Sequence, residues 1–229
     1  MSKLVSYHDQ DKYALITIDN GKANALSHEV IDQINLCLDK AEKKQKVVVL
    51  TGKAGMFSAG YDLSTMKKSM ESAMQLVEKG STLSKRLLSF PTPVIAACSG
   101  HAVAKGAFLL LSVDYRIGVD GDYKIGLNEV AIGMTMHQAG IELAHERLAK
   151  SFFNRSVINA EIFSPAHALD AGFFDLVVKS KKFEKAVSKV ATAMSSLDVE
   201  AHRATKLKAR AGLLESLQKA IEIDRGGSL

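Results

Sequence analysis

Tryptophan is absent from the 229 residues, and there are only three prolines and two cysteines. Each scarcity excludes something. So few prolines leave no Pro-rich linker between independent domains. Cys37 and Cys98 have no Cys-x-x-Cys partner, which argues against a disulfide framework or a structural zinc site and predicts two buried thiols. No apolar run approaches the roughly 18 residues of a membrane span, and the stretch from Met1 to Asp9 lacks the apolar centre of a signal peptide, so a cytoplasmic protein with no membrane partner is expected. Lys and Arg are scattered and no basic cluster is interleaved with aromatics, which disfavours nucleic acid. The net charge of +5 suits an anionic ligand but is common in proteins without one. Neither a phosphate-binding P-loop, nor a Gly-x-Gly-x-x-Gly helix start, nor a Gly-x-Ser-x-Gly elbow is present, so ATP and NAD are not indicated. No histidine pair has metal-ligand spacing, so no metal is implied.

What is present is an ordinary globular composition, 47% hydrophobic and 24% charged, long enough for one full core. The α/β pattern is direct. Ala14 to Ile18 reads as a strand closed by the Asn20-Gly21 turn. Ser27 is a candidate N-cap for a helix carrying Val30, Ile31, Ile34, Cys37, Leu38 and Ala41 at helical spacing, ended by a solvated polar run. Val47 to Leu50 has no alternation, as expected of a parallel strand buried on both faces. Val77, Leu83, Leu87 and Leu88 predict one long helix, broken or kinked near Gly80, before Pro91 and Pro93 force an extended entry into Val94 to Ala97. Ala107 to Val113 is a helix without a polar face and must be central. From Ser151 the chain is mainly helical, with an amphipathic stretch from Val199 to Asp224.

The stretch from Cys98 to Met136 carries the chemistry. A glycine-containing turn and a small-residue helix start are followed by Ile125-Gly126-Leu127-Asn128-Glu129, which offers backbone N–H donors beside one carboxylate. Such a pairing suits removal of a C–H proton next to a carbonyl that becomes an enolate. Glu129 sits between apolar residues that should raise its carboxyl toward general-base range, although spacing alone favours a rim glutamate capping a helix or paired with a lysine.

Four segments in order resemble the crotonase, or enoyl-CoA hydratase/isomerase, superfamily. They are Asn20 to Leu26, Met56 to Leu63, Gly100 to Glu129, and Ala166 to Asp175. The resemblance implies a crotonase-type spiral of ββα units over residues 1–190, with a helical appendage over 191–229 serving oligomerisation or as a lid. It also implies a homotrimer or dimer of trimers. Glu129 falls on the family's second catalytic glutamate. The first falls on Phe108, which cannot activate water, and this is similar to the single-glutamate Δ3,Δ2-enoyl-CoA isomerase branch, as are Asp114 to Ile117 and Ile125 to Glu129.

The implied activity is isomerisation of 3-enoyl-CoA to 2-trans-enoyl-CoA. Coenzyme A enters as part of the acyl-CoA substrate, with no separate cofactor. Hydration, another crotonase lyase or hydrolase reaction, and acyl-CoA binding with little turnover are the alternatives. The oxyanion donors map to the backbone N–H groups of Ala59 and Lys105. The family has glycine at the second, so Lys105 should restrict φ there, and its ammonium is expected to turn to solvent or pair with a carboxylate rather than enter the pocket. Substrate-binding positions map to Lys22, Ala23, Ala25, Ser58, Gly60, Tyr61, Asp62, Leu63, Phe108, Asn128 and His137. Asp62 also suits a helix cap, and His137 could be structural or replace the missing carboxylate. His101 is the weaker histidine.

Overall fold

The computed structural model describes residues 3–227. Met1, Ser2, Ser228 and Leu229, at the outer ends of the two expected segments, lie outside them. The large sheet has the order β1 (Val5–Asp9), β2 (Tyr13–Ile18), β3 (Val47–Thr51), β5 (Val94–Cys98), β7 (Tyr115–Val119), β10 (Leu176–Val178), parallel except for β1 against β2. A small sheet contains β4 (Gly55–Ser58), β6 (Gly100–Val103), β8 (Ile125–Gly126) and β9 (Ile162–Phe163), of which β8 lies within the Tyr123 to Leu127 run that the sequence marks as a short strand. Each of β3, β5 and β7 is followed by its neighbour in the small sheet and then by helix: α2 (Leu63–Met66) with α3 (Met70–Leu88), α4 (Lys105–Leu111), and α5 (Gln138–Arg147). This is the expected ββα spiral.

Local sequence accounts for these elements. α1 (His28–Lys43) is capped by the Ser27 hydroxyl on the Val30 N–H and buries the six residues its spacing predicts. In β3, Val48 and Leu50 face the main core while Val47 and Val49 face a second cluster under α8 (Phe183–Met194). Both faces of β3 are covered, so its apolar run has no alternation. Cys37 and Cys98 are buried free thiols, and burial pushes Cys98 up to about 12. α4 is buried along its whole length.

Two helix expectations change. α3 runs unbroken through Gly80, where a Cβ would lie 2.1 Å from the Tyr61 hydroxyl, so the glycine admits a ring rather than a kink. The predicted C-terminal helix divides at Arg210 into α9 (Val199–Ala209) and α10 (Ala211–Gly226).

Buried charge anchors the last elements. Asp175 receives the Arg116 guanidinium through both carboxylate oxygens, at 2.8 and 2.6 Å, which ties β7 to the turn after α7 (Pro165–Ala171). This contact gives the Ala166 to Asp175 segment its structural purpose. Asp114 accepts from the Val94 N–H (2.7 Å), the Lys206 ammonium (2.6 Å) and Arg210 (2.8 Å), so α9 is latched to the sheet. Asp114→Ala strands a buried lysine and is expected to destabilise the fold by about 3–5 kcal/mol, measured by urea unfolding at pH 7. The buried stripe of α10 (Leu213, Leu217, Ala220, Ile221) is used within the chain, against α3 and α5. Among the described residues no helix is long and apolar enough to cross a membrane.

Candidate active site

Three segments converge: the loop after β4, the N-terminus of α4, and the turn after β8. The first N–H groups of α4 have no intrahelical partner. Ala104, just before them, takes φ +50° and ψ −128°, a left-handed backbone costing a non-glycine residue on the order of 1 kcal/mol. The restriction expected at Lys105 thus falls on Ala104, and Lys105 is helical. Gly106 is required by close packing, because a Cβ there would lie 2.2 Å from the Ser58 carbonyl oxygen.

The loop after β4 corrects one expectation. The Ala59 N–H donates to the Ala23 carbonyl at 3.0 Å, so it is already occupied. The Gly60 N–H donates to the Ser58 hydroxyl at 3.2 Å, and that hydroxyl donates to the Asn24 carbonyl. Tyr61 carries the next amide, and its N–H makes no hydrogen bond among the described residues. Gly60, at φ +97°, brings this amide toward α4: a Cβ on Gly60 would sit 3.2 Å from the Lys105 nitrogen and 2.8 Å from the Ala104 Cβ. The free N–H next to Gly60 is therefore that of Tyr61, two residues beyond the mapped position.

Glu129 follows β8 and is 7% exposed. Burial pushes its carboxyl up to about 7, with Lys105 pulling the other way, and its Oε2 has no partner among the described residues. Lys105 is 1% exposed, so its side chain turns inward, against the expectation of solvent or a paired carboxylate. Its ammonium donates to the Ser84 hydroxyl of α3 at 2.6 Å and lies 6.0 Å from the centre of the Tyr61 ring. Burial pulls it down to about 7, with Glu129 opposing. His137, at the N-cap of α5, stacks edge-on with Phe108 at 5.3 Å. Burial, then Lys105, depresses its imidazole to about 3, so it is neutral at ordinary pH.

The other mapped positions divide. Ser58 is fully buried and internally bonded, so its side chain is structural. Asp62 caps α2, accepting from the Thr65 N–H and from the Ser64 and Thr65 hydroxyls, which hold its carboxyl below the usual range. Lys22 and Ala23 are exposed and Ala25 is half-buried on the loop before α1. Leu63 lines an apolar cleft of about 610 Å³ with Met66, Met70, Ile132 and Met134. Among the described residues Asn128 Oδ1 has no partner. His101 is occupied by the Lys124 N–H and by Tyr123, away from these groups. A second concavity, of about 660 Å³ between the large sheet and α8, holds none of the mapped residues.

Sequence reading missed several supports. Asn24 is buried, and its amide donates to the Ile18 and Met56 carbonyls, fixing the loop before α1. Asp224 of α10 caps α5 through the N–H groups of Gln138 and Ala139, and so seats His137. Ser84 could have been suspected, since it and Ser81 interrupt the apolar stripe of α3.

Fold and site together define a spiral of ββα units carrying one buried carboxylate beside a helix N-terminus. The family model described as enoyl-CoA hydratase/isomerase matches residues 9–227. An enoyl-CoA hydratase/isomerase family protein of Pseudomonas syringae is 57% identical over 99% of both chains, with a TM-score of 0.98. A Mycobacterium tuberculosis protein, described as an enoyl-CoA isomerase in one structure and as a probable enoyl-CoA hydratase in another, is 36% identical over 99% of both chains in the first, with a TM-score of 0.94. A probable enoyl-CoA hydratase of Bacillus subtilis is 33% identical over 73% of this chain and 66% of its own length, just under two thirds. This chain belongs to the enoyl-CoA hydratase/isomerase family.

Proposed function

We propose that the protein isomerises 3-enoyl-CoA to 2-trans-enoyl-CoA, with Glu129 as the single proton carrier. One observation carries this reading: Glu129 is a buried carboxylate raised to about 7 with an oxygen unpartnered among the described residues, while the position to which the family's first glutamate maps is Phe108, buried against the His137 ring. Glu129 takes the C2 proton and the electron pair passes to the thioester oxygen. That oxygen is held as a dienolate by the N–H groups of Tyr61 and Lys105. Glu129 then returns the proton to C4, and the double bond comes to rest between C2 and C3. Donors already aimed at the developing charge need no rearrangement during the step.

The acyl chain lies toward the apolar cleft at Leu63, Met66 and Ile132, and the coenzyme A portion along the exposed loop at Lys22, Ala23 and Ala25. The test is product analysis with 3-enoyl-CoA, following thioester conjugation by absorbance and water addition by mass. Conjugated product without a mass increase of one water is expected. Dominant water addition would overturn the isomerase reading and move the second proton-handling role to the neutral His137.

A further inference from the structure

We propose that the substrate's acyl tail is an apolar chain of medium to long length, carried in the open, methionine-lined cleft between α2, the start of α3 and the turn after Glu129, with Met70 and Ile132 as the residues that set this preference. The inference rests on the isomerase reading and names the class of substrate for it.

The cleft begins where the reacting groups end. One wall continues from the Tyr61 amide: Asp62 caps α2 through the Thr65 N–H at 3.0 Å, and Leu63 and Met66, the first and last residues of that helix, line the cleft. The other wall continues from the base. Val130–Ile132 form a single helical turn directly after Glu129, and the N–H groups of two lining residues, Ile132 and Met134, both donate to the Glu129 carbonyl, at 3.1 and 2.9 Å. Met70 and Ala73, from the first turn of α3, complete the lining. With the thioester oxygen at the Tyr61 and Lys105 amides and C2 to C4 at Glu129, the carbons beyond C4 pass between these walls.

The lining fixes the kind of tail. Its large side chains are Leu63, Met66, Met70, Ile132 and Met134, and no carboxylate is among them. Three of these five are methionine, whose unbranched, polarisable side chains adapt to tails of different length. Leu63, Met70 and Ile132 are 54%, 53% and 53% exposed, so each side of the cleft opens to solvent and none closes over the tail. Large apolar side chains left together at a surface mark a place that takes an apolar ligand. The one charged lining residue, Lys67, is the exposed C-cap of α2 and offers a carboxylate-ended tail only a solvated, weak partner. Contacts to a tail remote from the proton transfer are the same before and during the step, so they act on KM and leave kcat alone.

The test uses the full chain with 3-enoyl-CoA substrates of six, eight, ten and twelve carbons, and calorimetry with the matching saturated acyl-CoA esters. A fully buried methylene tightens binding by about fourfold, and one half-covered by an open cleft by about twofold. KM and Kd are therefore expected to fall by about tenfold or more from six to twelve carbons, with kcat constant within about threefold. Met70→Ser combined with Ile132→Ser is expected to weaken the twelve-carbon ligand by roughly fivefold and the six-carbon ligand by less. If the double variant does not fold, the wild-type series decides. A kcat/KM highest at six carbons would overturn the proposal, as would a twelve-carbon ester with a terminal carboxylate binding as tightly as the apolar one. A double variant that changes the oligomeric mass in ultracentrifugation and keeps the wild-type length dependence would put a second copy of the chain on the cleft and overturn it too. Length-dependent binding without isomerisation at any length would overturn the isomerase reading instead and leave the tail in its cleft.

Discussion

Glu129→Gln is expected to lower kcat for 3-enoyl-CoA isomerisation by on the order of 10³-fold while acyl-CoA binding, measured by calorimetry, is retained. Glutamine keeps the shape and the polar contacts but cannot accept the C2 proton. Residual turnover close to wild type would remove Glu129 from the chemistry. The same substitution carries a stability signature whose sign follows from burial. The carboxyl is held at about 7 in the folded chain against an ordinary value of 4.5. Below 4.5 both folded and unfolded states are protonated and the group costs nothing. Between 4.5 and 7 the unfolded chain ionises first, and above 7 the fold bears a penalty on the order of 3 kcal/mol. Glutamine has no such penalty. Urea unfolding should therefore show Glu129→Gln gaining on wild type as pH rises from 4.5 to 8, so loss of activity arrives without loss of stability. A variant that loses stability at pH 8 would mark the residue as structural.

Gly60→Ala is expected to reduce kcat by roughly 10²- to 10³-fold, the range found when an oxyanion donor is displaced. A methyl group at this position meets the Ala104 Cβ at 2.8 Å and the Lys105 nitrogen at 3.2 Å, so it wedges the β4 loop away from the α4 N-terminus. The positive φ adds strain of about 1–2 kcal/mol. Gly55→Ala separates the two effects. Gly55 also has a positive φ, +80°, but nothing lies within 4 Å of its would-be Cβ. It should lower the melting temperature while leaving kcat near wild type. Equal kcat losses in the two variants would show that strain, not obstruction of the donors, is responsible.

The parts of this molecule legible beforehand share a short range. The Ser27 cap and the six buried positions of α1 lie within one helix, and spacing alone places them. The unalternating Val47 to Leu50 run announces coverage on both faces, which α8 and the main core supply. Glu129 is legible through the motif it ends, whereas its burial is not set by the apolar residues after it, since Val130 and Ile132 are 44% and 53% exposed. Of the small sheet, β8 lies within the apolar Tyr123 to Leu127 run that reads as a short strand, whereas β9 is two residues long, too short to carry a period.

Motif order and spacing therefore suffice for the family, for the single carboxylate, and for Phe108 in the place of a second one. Which amides remain free, and which charges are drawn inside, depend on contacts between distant segments. The Ala59 N–H is withdrawn by Ala23 and the Tyr61 N–H left open because the loop before α1 folds onto β4, pinned there by Asn24. Lys105 turns inward, where its ammonium donates to Ser84 on α3. Only the tertiary structure decides these points, because a hydrogen bond to a remote partner and the depth of a charge below solvent are properties of packing and leave no periodic trace along a chain.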